Sequence, residues 1–208
     1  FTSCCPGWIK FFEQYYPELR NHLSTCKSPQ QMFGSFAKDY LPKLLGKKRE
    51  DIVIVSVMPC TAKKFEAKRP EFVKDGNPDI DVVLTTQELG IMFKEKGVDF
   101  NKLSVAEFDK PLGVQTGAAV IFGVSGGVTE AALRFAAEKI TGTKPTGLEF
   151  KQVRGEEKGI RRAKISVGGI ELKIALVSGL ANAREIVENV KKGKEQADLI
   201  EVMACPGG

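Results

Sequence analysis

Two stretches of this 208-residue sequence end alike. "DIVIVSVMPC" closes on Ser56, Val57, Met58, Pro59 and Cys60; "ADLIEVMAC" closes on Glu201, Val202, Met203, Ala204 and Cys205. The continuous β-branched run of the first predicts a strand buried on both faces of a parallel sheet, and the second predicts one more buried strand. Parallel strands end in the same direction, and open α/β sheets carry their functional loops at that edge. The shared ending therefore points to an α/β fold in which Cys60 and Cys205 each project from a strand end, one from each of two similar lobes.

The rest of the chain alternates helix, strand and turn signals in keeping with this. "CPGWIKFFEQYY" places Pro6 near a helix start, followed by Trp8, Ile9, Phe11, Phe12 and Tyr15 at helical spacing. In "SPQQMFGSFAKDY", Ser28 is the predicted N-cap, Pro29 the first helical residue and Gln31 the residue closing a capping box. "DVVLTTQELGIMFKEKG" reads as strand, threonine cap, helix and terminal glycine, and "GVSGGVTEAALRFAAEKI" as a glycine-rich turn running into a helix. "RRAKISVGGIELKIALVSG" is the pattern of an antiparallel hairpin turned at Gly168-Gly169, and "ANAREIVENVKKG" that of a helix.

Composition excludes several function classes. With 42% hydrophobic and 27% charged residues the chain is an ordinary globular one, long enough for a large domain or two small lobes. No run of about 18 apolar residues predicts a membrane span. The net charge of +5 is modest, and the small basic clusters at "KLLGKKRE" and "RRAK" carry no interleaved aromatics, so nucleic-acid binding is set aside. They read as a solvated surface, or as a docking patch for an acidic electron carrier. "GVSGGV" lacks both the GxGxxG spacing and a Walker lysine, which leaves it a tight turn into a helix. The sequence opens on Phe1 with no leader pattern before its first motif, and an internal piece of a longer chain is expected.

The five cysteines, at 4, 5, 26, 60 and 205, are odd in number and widely scattered, unlike a secreted disulfide framework. Cys5 precedes a helix start shaped by Pro6 and Gly7, Cys60 precedes the helix start at "TAKK", and Cys205 precedes the "PGG" turn. Backbone N–H groups at such junctions favour anionic thiolates and hydrogen-bond to cluster sulfides. On spacing alone, one soft metal centre and three unrelated buried cysteines are both open readings, since no CxxC pair announces a zinc site.

"TSCCPGW", "VMPCTAKKFE" and "EVMACPGG" together resemble the three signature segments of the FeFe hydrogenase catalytic domain, and "LSTCKSPQQMFG" and "IFGVSGGVTEAALR" are similar to that family as well. The resemblance spans residues 2 to 208 and implies two intertwined α/β lobes, roughly 1–110 and 111–208, with mainly parallel sheets flanked by helices and a cluster in the cleft between them. It implies an H-cluster: a 4Fe-4S cubane joined to a diiron subcluster with CO, cyanide and dithiolate ligands. By the resemblance Cys5, Cys60 and Cys205 are cubane ligands, and the bridging fourth cysteine is expected directly after Gly208. Cys4 is then a thiol beside the cluster that passes protons, a task that a thiol with an ordinary pKa near 8.5 suits. Ser24 matches the next hydroxyl of the proton route.

The resemblance also makes Lys63 a charged donor to a cyanide, with Glu66 pairing with it or holding its loop. Met58, Phe122 and Met203 match positions lining a dry pocket, and Ser28, Pro29 and Gln30 match the segment on its other side. Cys26 is read as buried filler, and His22 as a surface residue or a local hydrogen-bonding group. The implied activity is the reversible interconversion of dihydrogen with two protons and two electrons, the electrons leaving to a ferredoxin-like or other carrier and to the rest of the hydrogenase chain. A cytoplasmic setting is favoured, with a periplasmic one open. Two competing readings are a hydrogenase-like sensor or iron–sulfur assembly factor that keeps only the cubane, and an α/β nucleotide-binding module with incidental cysteines.

Overall fold

Residues Cys26–Val114 gather into one compact unit, and Phe1–Thr25 with Gln115–Gly208 into another, so the chain starts in one unit, builds the second and returns. The first 25 residues fold with the carboxyl-terminal segment rather than with the residues that directly follow them. The computed structural model describes residues 1–114, 117–143 and 159–206. The glycines after Pro206, predicted as part of an anion-friendly turn, lie outside the described residues.

In the unit containing both chain ends, Pro6 occupies the first turn of helix α1 (Pro6–Tyr15), with Cys5 at its N-cap in extended backbone. The helical spacing buries Trp8, Phe11 and Phe12 and leaves Tyr15 exposed. Trp8 meets Phe12 edge-on at 5.0 Å, and its indole N–H donates to the carbonyl of Thr2 at 3.2 Å, which satisfies the polar end of a fully buried ring. Strands β5 (Ile160–Val167) and β6 (Ile170–Ser178) form the predicted antiparallel hairpin. Its turn residues Gly168 and Gly169 both have positive φ, 57° and 84°, as a two-residue turn matched to strand twist requires.

Helix α7 (Leu180–Lys191) then carries the chain to β7 (Leu199–Met203), which pairs with β6 in parallel so that Ser178 lies opposite Met203. Alternation along β6 separates two cores. Ala175 and Val177 pack with α1, α7 and β7, and Ile174 and Leu176 pack with Leu133 and Ala137 of α6 (Gly127–Thr141) on the other face.

Helix α6 has no side-chain cap of its own, its N-cap being Gly126 at φ 84°. The cap comes from Glu201 on β7, which is wholly buried. Its carboxylate accepts from Gly126 N–H at 2.7 Å, Thr129 N–H at 2.9 Å and the Thr129 hydroxyl at 2.5 Å. A Cβ on Gly127 would stand 1.6 Å from the carbonyl oxygen of Ile121, the last residue of the short α5 (Ala118–Ile121), so the turn tolerates only glycine there.

In the other unit, helix α2 (Pro29–Leu45) begins with the predicted Ser28 cap, whose hydroxyl accepts from Gln31 N–H at 3.3 Å, and ends at Gly46 in the left-handed conformation, φ 63°. The capping box is only half made. Gln31 turns its amide into the interior, where neither amide atom has a hydrogen-bond partner. Strand β1 (Val55–Met58) pairs in parallel with β4 (Val82–Thr85), Met58 opposite Thr85. Between them lie α3 (Ala62–Ala67) and a short antiparallel pair, β2 (Val73–Lys74) with β3 (Asn77–Pro78). The predicted threonine cap is present at Thr85, whose hydroxyl and backbone exchange bonds with Glu88 at the start of α4 (Thr86–Glu95).

The expectation that "DIVIVSVMP" is buried on both faces is corrected. Ile52 and Ile54 enter a core with Ala37, Ile80 and Val83, whereas Val53, Val55 and Val57 are exposed. Among the described residues only one face of this two-stranded sheet packs on such a core. Gly34 lets α2 close on the chain before β4, since a Cβ there would meet the Asp79 carbonyl oxygen at 2.5 Å. The wholly buried Lys38 of α2 is satisfied by the Ile52 carbonyl at 2.5 Å and by Asp81 at 2.8 Å, and the buried Asp79 by Lys27 at 2.6 Å and Arg49 at 2.7 Å.

Candidate functional site

The residues singled out in the sequence fall into two constellations, one in each unit. Cys4, Cys5, Ser24, Phe122, Met203 and Cys205 belong to the first unit; Ser28, Pro29, Gln30, Met58, Cys60, Lys63 and Glu66 belong to the second.

In the first unit the opening segment runs beside β7. Thr2 N–H donates to the carbonyl of Ile200 at 2.9 Å, and Val202 N–H donates to the Thr2 hydroxyl at 3.4 Å. This registers Cys4 and Cys5 against the end of the strand that leads to Cys205. Cys5 is buried, and its Sγ accepts the backbone N–H of Ala204, Cys205's neighbour, at 3.3 Å. A backbone donor aimed at sulfur suits a metal-bound thiolate, whose lone pairs remain good acceptors and whose cluster such bonds tune. Gly7 permits the approach, because a Cβ on it would lie 3.1 Å from the Ala204 methyl. Cys205 itself is exposed and Cys4 half-buried.

The Cys4 thiol is directed to the Thr2 hydroxyl at 3.9 Å, the long distance of a weak sulfur bond. Ser24 is held close to this segment, its N–H donating to the Phe1 carbonyl at 2.8 Å. Met203 is half-buried against the aromatic core beside Ala204, and Phe122 is 39% exposed before the glycine turn. His22 is exposed, as expected of a surface residue.

The second unit presents Cys60 in a cleft of about 180 Å³ at the carboxyl ends of β1 and β4, lined also by Pro59, Thr61, Thr85, Thr86 and Gln87. Close to it in sequence, α3 carries a polar cluster around Glu66, which is only 3% exposed. The Ser28 hydroxyl donates to Glu66 Oε1 at 2.5 Å, Gln30 Nε2 donates to the same oxygen at 3.3 Å, and Lys63 Nζ reaches Oε2 at 2.9 Å. Gln30 Nε2 also lies 3.5 Å from the Lys63 carbonyl, and the Ser56 hydroxyl donates to Gln30 Oε1 at 2.8 Å. Met58 packs half-buried on the core of this unit, and Pro29 opens α2 behind Ser28.

Cys26 is exposed, which corrects its reading as buried filler; it lies in the irregular stretch ahead of α2, where no apolar cluster covers it. Within neither unit do three histidine, cysteine or acidic side chains converge among the described residues.

Sequence reasoning missed three contributors, Thr2, Ser56 and Glu201, and read Gly7 only as shaping a turn. Gly7 stood in the quoted "CPGW" turn, but its reason, the approach of Ala204, joins positions almost two hundred residues apart. Ser56 and Glu201 sat inside strand patterns, and only their polarity in otherwise apolar runs marked them.

The family described as "Iron only hydrogenase large subunit, C-terminal domain" matches residues 1–208. The NADP-reducing hydrogenase subunit HndD of Solidesulfovibrio fructosivorans is 55% identical over 207 residues, covering 100% of this chain and 35% of that protein. The periplasmic [Fe] hydrogenase large subunit of Nitratidesulfovibrio vulgaris is 51% identical over 208 residues, covering 100% of this chain and 49% of that protein. A probable cytosolic Fe-S cluster assembly factor of Nematostella vectensis is 35% identical across the whole chain and 48% of its own length. Among solved structures, a variant of the [FeFe]-hydrogenase HydA1 from Chlamydomonas reinhardtii superposes with a TM-score of 0.81 at 39% identity, over 99% of this chain and 59% of that one. The chain thus spans about a third to a half of the length of the curated relatives it matches. With helices flanking parallel strand pairs and the match running from end to end, the chain belongs to the iron-only hydrogenase family, within the C-terminal domain of its large subunit.

Proposed function

We propose that this chain forms part of a hydrogenase catalytic core that interconverts dihydrogen with two protons and two electrons, as hydrogenase relatives at 55% and 51% identity suggest. Cys5, Cys60 and Cys205 would hold a 4Fe-4S cubane, and the fit rests on the donor set. All three are soft thiols at chain turns next to strand ends or helix starts, and Cys5 already receives a backbone N–H on its sulfur at 3.3 Å. When bound, the H-cluster supplies the place where hydrogen is made or split and the store for its electrons.

The protein's own residues then divide the remaining work. Cys4, adjacent to a ligand, carries a proton on Sγ between the buried site and Ser24, whose segment hydrogen-bonds to the same stretch of backbone. Lys63 presents an ammonium held by Glu66 at 2.9 Å, which would donate to an anionic cyanide of the bound group. Ser28, Pro29, Gln30, Met58, Phe122 and Met203 shape and dry the surroundings. A ferredoxin-like carrier, or another part of the longer chain, takes the electrons. One relative is periplasmic by name, and no helix among the described residues is long and apolar enough to cross a membrane.

The observation that carries this reading is the Lys63–Glu66 pair at 2.9 Å, buried on a network of Ser28 and Gln30. A braced, largely desolvated ammonium in the helix after Cys60 suits the anionic cyanide of a diiron subcluster, a partner that a cubane alone does not provide. The assembly-factor relative at 35% identity keeps a second reading in play: a chain that binds the cubane and turns over no hydrogen. Hydrogen evolution measured by gas chromatography on the full-length, cofactor-matured protein decides between them. The expected result is turnover that falls about 100-fold or more in Cys4→Ala, the usual scale of a lost proton-transfer group. A matured protein with a full iron complement and no hydrogen evolution overturns the catalytic reading.

A further inference from the structure

Gln30 Nε2 faces two acceptors, Glu66 Oε1 at 3.3 Å and the Lys63 carbonyl at 3.5 Å, so the amide presents its donor to them and leaves Oε1 facing the other way. Gln30 is 4% exposed, too buried for water to satisfy that oxygen freely. Ser56 does so, from the second residue of β1, at 2.8 Å. Turning the amide over would point an oxygen at a carboxylate and a carbonyl, three acceptors with no proton among them.

We propose that Ser56 is a positioning residue for Lys63: its hydroxyl locks the sense of the Gln30 amide, Gln30 and Ser28 together fix the Glu66 carboxylate, and Glu66 sets where the Lys63 ammonium lies. The chain of contacts joins three elements that are remote in sequence, β1, the start of α2 and α3. It makes strand β1 serve the site twice, through Cys60 at its end and through Ser56 within it. A compact hydroxyl at position 56 both fits the half-buried strand position and donates to Oε1. The functional consequence rests on the role given to Lys63 above; the positional one does not.

The test separates the two. In the full-length protein before maturation, the rate of Lys63 acylation by an N-hydroxysuccinimide ester is followed by mass spectrometry, with the wholly buried Lys38 as an internal report on folding. Ser56→Ala is expected to speed Lys63 labelling several-fold while Lys38 stays unreactive, and Ser56→Thr, which restores the hydroxyl, to return the parent rate. Unchanged Lys63 labelling in Ser56→Ala overturns the proposal. Should Lys38 become reactive as well, the near-isosteric Ser56→Cys variant decides by the same criterion.

In the matured protein, infrared cyanide bands are expected to move in Ser56→Ala in the sense that they move in Lys63→Ala. Bands that respond to Lys63→Ala but not to Ser56→Ala overturn the positioning role alone. Faster labelling with cyanide bands unmoved by Lys63→Ala overturns the role given to Lys63, and with it the functional half of the proposal.

Discussion

Glu201 in the first unit and Glu66 in the second are both nearly inaccessible carboxylates close to a strand-end cysteine, and their donors differ in kind. Glu201 is held by two backbone N–H groups and a threonine hydroxyl at the start of α6. The two backbone donors cannot leave without unwinding the turn, so this glutamate staples β7 to the start of α6 and acts on Cys205 only by fixing its strand. Glu66 is held by side chains alone, from Ser28, Gln30 and Lys63. Each of those can rotate, and one is a cation that the proposed chemistry uses. Similar burial thus serves scaffold stability in one unit and the setting of a charge in the other.

Substitutions can break this contrast. The largest effect is expected for Glu201→Ala, which leaves three donors of a buried turn without an acceptor. Equilibrium urea unfolding of the full-length protein should register a loss of about 3 kcal/mol, with Lys63 labelling unchanged. Gly34→Ala comes next. A Cβ 2.5 Å from the Asp79 carbonyl oxygen forces α2 away from the chain before β4, at about 2 kcal/mol net of the gain in helix propensity. By contrast Gly7→Ala meets only a methyl at 3.1 Å. It should cost less than about 1 kcal/mol while lengthening the Ala204 N–H to Cys5 Sγ contact, seen as a shifted reduction potential of the bound cubane.

Glu66→Gln is expected to lower stability by about 1 kcal/mol, since an amide retains one acceptor, yet to raise Lys63 reactivity far more than Glu201→Ala does. If the two glutamate variants affected Lys63 alike, the contrast would fail.

The smallest effect concerns α4. The side-chain hydrogen bond from Lys64, with the Thr85 backbone N–H, holds the Glu88 carboxyl down to about 2 from an ordinary value of 4.5. A depressed carboxyl contributes stability that is complete above about 4.5 and disappears as pH falls toward about 2. Amide protection in the first turn of α4, taken relative to the intrinsic exchange rate at each pH, should therefore fall across that window, and Glu88→Gln should remove that dependence of the protection.

Much of this architecture is legible in the residues because its determinants are local. The Thr85–Glu88 box, the Gly168-Gly169 turn and the aromatic stripe of α1 each lie within a few residues of their partners. The half-made box at Ser28 marks where local reasoning ends: Gln31 has the right spacing, but burial captures its side chain. Strand β1 reads as buried on both faces because its run is continuously apolar, yet the odd-numbered valines are exposed and only the even positions meet a core. The roles of Glu201 and Ser56 were beyond reach for a related reason, whereas the Lys63–Glu66 pair, three residues apart, was not. Glu201's donors lie 72 and 75 residues earlier in the chain, and Ser56 sits 26 residues from the amide that it orients.

The most direct measurement is iron content with magnetic-resonance spectroscopy of the reconstituted full-length protein and its Cys5→Ala, Cys60→Ala and Cys205→Ala variants. A cubane shared by thiols of both units predicts that each single change removes the same share of about four irons per chain together with one spectroscopic signal. A Cys60→Ala protein that keeps the full cubane signal lost from Cys5→Ala would contradict it.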